Sequence, residues 1–546
     1  MTTASSDHTV RHFREVLFWP VQMMPLTEGG STHWEVLAQG GVDNPWRKLK
    51  DRFQSDELDF EERHYKEFVA FLPYVQRFIY GESHKSHALD DSPGGSAIKI
   101  FRRRDVAALR VVLRENEAPI MLDVEHIELW LFDDINVAFL KVELSACDLP
   151  FADVCDLLYR FGRAYPTGWD DYGHGKHNAH RAEWLDADGA VLATSDSDNR
   201  EKFLCYTREH RSPGICAHWD FLLHPLVLDP SEETGALRYR QIEYHRMPLM
   251  AFLAMDDPRS VSREDWLRLG LVATLHPDDA LSEHDPDVAG FEQRYCYDRF
   301  WANNEAGPNT RFFCTGRAFI VAGDVSADYF HDRKRGILAQ FRHQYVLMFI
   351  IAHFHRASLL VFSDRMVDAV HGLNIRLPQS ISRFRRSIYA SFEAFLRFTH
   401  RYWFHELSER PHVQALYRMC SEHLGNEALY QEVKEELRDM SQYLDSNAQR
   451  QQSTTIVRLT VVTMFSMVGT VASGLLGMNL IAEAEAPIST RLIYFFSTTL
   501  IVALLMLWAI LKSKRLSELM DLLADDQKSL GTRLTMLGKK WNRVKP

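Results

Sequence analysis

The sequence predicts an α+β domain followed by long helices, a stalk helix and a two-helix transmembrane hairpin. Three observations carry that reading. Residues 1–330 mix short apolar strands with helical segments. From about residue 335 to 450 the pattern becomes helical. Two uncharged runs, residues 459–480 and 492–511, sit close together near the C-terminus, each about the 20 residues that cross a bilayer core as helix.

Composition sets the outer limits. Hydrophobic residues make up 46 % and charged residues 25 % of 546, which is ordinary globular usage. The net charge of -11 argues against a duplex nucleic-acid binder, which would usually be basic. Seven cysteines stand at wide spacing with no CxxC pair, so a reducing compartment fits better than a disulfide framework. The N-terminal MTTASSDHTVRHF lacks an apolar h-region, so a secretory signal is not expected.

In the first 330 residues, SAIKIFRRRDVAALRVVL, HIELWLFDDINVAFLKVEL and RYRQIEYHRMPLMAFL read as strands joined by turns, with the turn of the second at DDIN, residues 133–136. EERHYKEFVAFLPYVQRFIYG and PFADVCDLLYRFGRAY have helical spacing. The strands cannot be ordered from these patterns. Next comes a helix from about 334 to 371, which stops before Pro378. It contains the apolar run 345–362, with His353, His355 and Arg356 near its middle. An ionised Arg at mid-span costs roughly 2.5–3.5 kcal/mol, so this run is expected to be a buried helix of a soluble bundle, not a third span. A second helix is expected from about 381 to 407, ending before Pro411, and a third from His412 or, past Gly425-Asn426, from Glu427. Leu429, Val433, Leu437, Met440 and Leu444 form one apolar stripe along the latter. The basic run Arg383, Arg385 and Arg386 reads as a solvated helix face.

The chain thus divides into an α/β domain at 1–330, a helical region at 331–426, a stalk helix at 427–458, a first span at 459–480, an external loop at 481–491, a second span at 492–511 and a basic tail at 512–546. Arg450 and Arg458 precede the first span and Lys512, Lys514 and Arg515 follow the second, while the loop between them carries Glu483 and Glu485. The positive-inside rule puts both termini in the cytoplasm.

The chemistry lies in the first span. Ser453, Ile456, Thr460, Thr463, Met467, Thr470 and Gly474 recur every three or four residues as a stripe of mixed hydroxyl and apolar groups. Beside it, Ser466, Gly469, Ser473 and Gly477 are uniformly small, which lets helices approach closely in lipid. Two spans cannot enclose a pore alone, so a lumen requires a cyclic oligomer. The span ends in Gly477-Met478-Asn479, directly before the acidic loop.

That GMN tripeptide, at the outer end of the first of two C-terminal spans behind a long stalk, resembles the CorA family of magnesium channels and its ZntB-type zinc-transporting relatives. The resemblance covers residues 427–515 well and 335–426 loosely, and barely reaches the first 330. It implies that Thr470, Met467 and Leu459 stand where relatives place a pore Thr, a hydrophobic Met and a gating Leu, and that Ser453 stands where many carry an Asn. With Thr463 and Gly474 these would line the pore, and Asn479 would hold the hydration shell of the entering ion. Leu476 replaces an aromatic common before GMN, and AEAEAP replaces the usual acidic-Pro loop. The expected function is passive influx of a divalent cation, Mg²⁺ first, with Co²⁺ or Ni²⁺ as further ions. The expected form is a homopentamer in a plasma or inner membrane. A proton-coupled Zn²⁺ transporter is the same-class rival. A membrane-anchored sensor or scaffold is the rival of another class. No catalytic motif occurs: HExxH, G-x-S-x-G, G-x-G-x-x-G and the P-loop are all missing. No cofactor is expected beyond the transported ion.

One further cluster stands out. His174, His177 and His180 form H-x2-H-x2-H beside Asp170 and Asp171. Imidazoles at this density can ligate Zn²⁺, although a solvated Gly-containing loop is the blander reading. DADG at 186–189 and DSDN at 196–199 lack the spacing of an EF-hand and read as turns.

Overall fold

The computed structural model describes residues 8–26, 31–41, 44–49, 62–81, 96–132, 134–243, 245–273, 289–302, 309–374, 378–477, 487–490, 492–493, 496–497, 500–501 and 504. The chain forms two compact units, Met1–Arg438 and Asp439–Pro546.

In the first unit the described strands join into one sheet of 14. Its longest path starts at the edge pair Cys296–Tyr297 and Arg311–Cys314 and continues through Ala318–Asp324, Leu249–Met255, Thr9–Met23, Val137–Pro150, Ile120–Phe132, Ala108–Val112 and Arg181–Leu185 to Val191–Thr194. Pairing is antiparallel except between Leu249–Met255 and Ala318–Asp324 and in the short pair of Val227–Leu228 with Arg238–Gln241. A mostly antiparallel sheet with helices apart from it is the α+β arrangement. Residues 134–136, of the expected DDIN turn, connect the hairpin of Ile120–Phe132 with Val137–Pro150, with Phe132 opposite Val137; Asp133 lies outside the described residues. Asn136 takes φ 61° there, a left-handed conformation that Asn tolerates better than most residues.

The central strand Thr9–Met23 is buried on both faces over most of its length, as a strand between two others and under covering elements must be. On one face Phe13, Leu17 and Trp19 join the main apolar core with Val154, Leu157, Trp184 and Trp219. Its neighbours carry a buried charge network. The Lys141 ammonium lies 3.4 Å from Glu128 and 3.3 Å from Glu143, and Arg14 donates to Glu143 at 2.7 Å. Burial alone would raise Glu128, but Lys141 and Arg102 outweigh it and hold the carboxyl down at about 2.

The helix expected from 334 to 371 runs from Ile337 to His371, with a π-type turn at Phe341–Tyr345. Among the described residues it is the helix of 18 residues or more that is long and apolar enough to cross a membrane by length and composition. It is a core helix of the first unit: residues Val346 to Phe354 are all buried. His353 donates from Nε2 to the Gly316 carbonyl at 3.1 Å, His355 donates to that of Tyr402 at 2.6 Å, and Arg356 pairs with Glu243 at 2.7 Å. Burial pushes both imidazoles down to about 3, so they sit neutral. These partners explain how polar groups stand inside an apolar run.

The next helix departs from expectation. It spans Pro378–Arg401 instead of 381–407. Pro is favoured in the first helical turn, where no N–H is needed. At the other end, the chain leaves the helix so that Tyr402, Phe404 and Leu407 can all be buried, since Tyr402 lies two residues from Phe404 and five from Leu407 and would not share a helix face with either. The Leu407 carbonyl accepts from the Leu72 N–H at 2.9 Å, and Ser408 donates to the Ala70 carbonyl. Arg383, Arg385 and Arg386 are exposed, as the solvated-face reading expects. Both proposed starts of the last helix are used. Pro411–His423 is one helix, Gly425 breaks the chain at φ 67°, and Asn426–Gly477 follows. Buried Asn426 donates from Nδ2 to the Ala352 carbonyl at 2.9 Å, and Tyr430 stacks on Trp403 at 4.5 Å. Val433, Leu437 and Leu444 of the expected stripe are buried, and Leu429 and Met440 half-buried. At 1.5 Å per residue this 52-residue helix is about 78 Å long.

Candidate functional site

The second unit holds the predicted pore residues, on the last part of the helix Asn426–Gly477. Here burial follows one row. Val457, Val461, Phe465 and Gly469, each four apart, are half-buried. Ser453, Ile456, Leu459, Thr460, Thr463, Ser466, Met467, Thr470 and Gly474 are exposed. At about 100° per residue, all nine lie within roughly 80° of Thr463, while the half-buried row lies more than roughly 110° away. The expected pore-facing residues therefore share the face that the chain itself leaves uncovered. The apolar members are left open as fully as the polar ones: Ile456 is 63 %, Leu459 66 % and Met467 71 % exposed. Ile488 in the loop and Ile493 and Phe496 in the second apolar run are 76 %, 66 % and 65 % exposed. Exposed apolar side chains in this number mark a region that contacts protein or membrane.

The hydroxyls on that face share one geometry. Thr460 donates to the Ile456 carbonyl at 2.8 Å, Thr463 to Leu459 at 2.7 Å, Ser466 to Val462 at 3.0 Å and Thr470 to Ser466 at 2.7 Å. Each proton is thus committed to the carbonyl four residues back. What each hydroxyl still offers is oxygen lone pairs. The waters around a cation point their protons outward, so a ladder of acceptors suits a hydrated cation and not an anion.

Gly477 is the last described residue of the helix. Met478, Asn479, Glu483 and Glu485 lie outside the described residues.

The histidine cluster of the first unit is sorted differently from its sequence spacing. His174 Nδ1 lies 3.0 Å from Asp198 Oδ2, and His180 Nδ1 lies 3.9 Å from the same oxygen. His177 turns away, with Nδ1 2.7 Å from the Tyr159 hydroxyl and a left-handed φ of 67°. The hydrogen bond to Asp198 raises His174 above the usual imidazole range. Burial beside Arg163, Arg160 and Lys176 lowers His177. Asp198 lies inside DSDN, a segment with turn character in sequence. The segment is indeed a turn, and Asn199 caps the helix Arg200–His210. Twenty-four residues separate Asp198 from His174, so only the fold brings them together. DADG is a turn as well, with Asp186 Oδ1 accepting from the Asp188 and Ala190 N–H groups at 2.9 and 2.8 Å.

No curated protein matches the chain. The sheet of the first unit lies entirely before the region that does find a counterpart. Residues 364–515, which take in the helices from Pro378 to Gly477 and both apolar runs, match the family model described as CorA-like Mg2+ transporter protein.

Proposed function

We propose that the chain forms a membrane channel for divalent metal cations, Mg²⁺ first, with copies of the helix Asn426–Gly477 arranged around a lumen. The observation that carries this reading is the uncovered face centred on Thr463, whose hydroxyls are fixed as acceptors. Mg²⁺ dehydrates reluctantly, so a path for it should hydrogen-bond its waters instead of replacing them. Hydroxyl acceptors along the lumen and an Asn479 amide ring at its outer mouth would do that without a buried charge. Exposed Leu459 and Met467 would supply apolar rings that close the path by dewetting. A divalent ion entering down 100 mV gains about 4.6 kcal/mol, so no nucleotide is needed.

Neighbouring copies would close a lumen around this face, with the hydroxyl ladder and the Leu459 and Met467 side chains turned toward a shared axis. Five copies are the number that the family resemblance implies. An anchor needs neither Asn479 nor an acceptor ladder. Asn479→Ala should therefore abolish selective Mg²⁺ flux into proteoliposomes while the oligomer still assembles. Wild-type flux and selectivity in that variant would refute the channel. Zn²⁺ uptake that requires an imposed proton gradient would move the chain to the coupled-transporter class.

A further inference from the structure

We propose that His174, His180 and Asp198 form a binding site on the first unit for a divalent transition-metal ion of the Zn²⁺ class, apart from any transport path. Their ligand atoms, one per residue, all lie within 4.8 Å of one another. The two imidazole rings stand 5.1 Å apart at 76°, in an edge-to-face arrangement. Around a tetrahedral Zn²⁺, with bonds of about 2.0–2.2 Å, neighbouring ligand atoms stand about 3.4 Å apart. The 3.0 and 3.9 Å separations to Asp198 Oδ2 bracket that value, so rotamer adjustment alone closes the site.

The surroundings hold the ligands in place. Asp198 Oδ1 accepts the Gly175 N–H at 2.9 Å, which leaves Oδ2 for the metal. Gly175 packs so close to Ser197 that a Cβ there would lie 3.0 Å from the Ser197 carbonyl oxygen, so the loop needs glycine at this point. Asp170 Oδ1 accepts the His174 N–H at 2.9 Å. On the far side of the ring, His174 Nε2 lies 3.6 Å from Glu115. Ligation through Nδ1 would leave the Nε2–H turned toward that carboxylate, the kind of group that serves as outer partner of a metal-bound histidine. Three protein ligands leave a fourth position for water.

The donor set selects the ion. Imidazole suits Zn²⁺, Co²⁺, Ni²⁺ and Cu²⁺, whereas Mg²⁺ prefers oxygen and keeps its waters. The site is therefore chemically distinct from a hydroxyl and amide path, and it does not depend on the channel reading.

Co²⁺ titration of the full-length protein in detergent tests the site, because low-coordinate Co²⁺ with nitrogen ligands gives intense visible bands. One Co²⁺ per chain should produce such bands, Zn²⁺ should displace them, and excess Mg²⁺ should not. His180→Ala and Asp198→Asn should each weaken binding by at least about 100-fold, and Glu115→Gln by about 10-fold, in line with the loss of an outer partner. His177→Ala and Asn479→Ala should keep the bands. Thermal unfolding without metal confirms that each variant is folded. Absence of bands in the wild type, their survival in His180→Ala and Asp198→Asn, or their loss in His177→Ala would each overturn the proposal. Loss in Asn479→Ala would assign the signal to the transport path and also overturn it.

Discussion

Glu15 gives the sharpest energetic test of the sheet. It lies on the central strand Thr9–Met23, fully buried, opposite Leu144 on one side and Ala251 on the other. Neither carboxylate oxygen has a hydrogen-bond partner among the described residues. Burial raises its pKa from an ordinary 4.5 to about 8, so the folded chain carries the acid form at neutral pH. The folded state then binds more protons than the unfolded state between pH 4.5 and 8. Stability is fully present below 4.5 and falls as pH rises through 8. At about 1.36 kcal/mol per unit the whole shift corresponds to roughly 4–5 kcal/mol. For a unit ending at Arg438, an unfolding entropy of about 2.1 cal/mol/K per residue converts this into about 4–5 °C. Glu15→Gln keeps the volume and removes the titration. Scanning fluorimetry of the full-length protein should show wild-type Tm falling by about 4 °C more than that of the variant between pH 5 and 9. Equal pH slopes in the two proteins would refute the reasoning.

Two further outcomes follow from named contacts. Lys141→Met removes the ammonium that Glu128 and Glu143 share while Arg102 and Arg14 stay paired with them, and losing hydrogen bonds to charged groups in this way costs about 1.5–3 kcal/mol. Glu128 is held down at about 2 in the fold, so the stability it contributes is present above its ordinary value and lost as pH falls toward 2. The variant should therefore melt lower at pH 7 and lose part of the wild-type sensitivity between pH 4.5 and 2, both read as Tm against pH. Met467→Ser replaces an exposed apolar side chain on the Thr463 face with a hydroxyl, and basal Mg²⁺ flux in proteoliposomes should rise severalfold; unchanged flux with normal assembly would place the gate elsewhere.

Local patterns made much of the chain legible. Strand alternation and the DDIN turn located the hairpin of Ile120–Phe132 with Val137–Pro150. Arg356 inside the run 345–362 argued for a core helix, and its pairing with Glu243 gives the reason. Strand order was not legible, because the neighbours of Thr9–Met23 come from residues near 140 and 250 and no local signal encodes such pairings. The early end at Arg401 was equally hidden, since tertiary contacts to Ala70 and Leu72 override a helical pattern. In the histidine cluster, sequence proximity pointed to three imidazoles. The fold keeps two, turns His177 toward Tyr159 and supplies Asp198 from a turn. Spacing is informative about ligands only when the segment is a helix or strand of known period, and this one is an irregular loop.

The two proposed ion sites obey opposite rules, and this bears on how the chain treats its ions. On the Thr463 face every described hydroxyl with a backbone bond spends its proton on a carbonyl. Such a surface offers acceptors to the protons of an ion's water and places no charge beside the ion. The grip is weak and repeated at successive turns, and release is correspondingly easy, as conduction demands. At His174, His180 and Asp198 the ligands face one another across less than 5 Å, with Gly175 and Glu115 behind them. That arrangement replaces water and holds the ion, as a resident site demands. An ion that exchanges its shell slowly is therefore suited to the first site, and one that accepts imidazole readily is suited to the second. Under the two proposals one chain would pass a hard, hydrated cation and bind a borderline one, because hydration separates the two before affinity does.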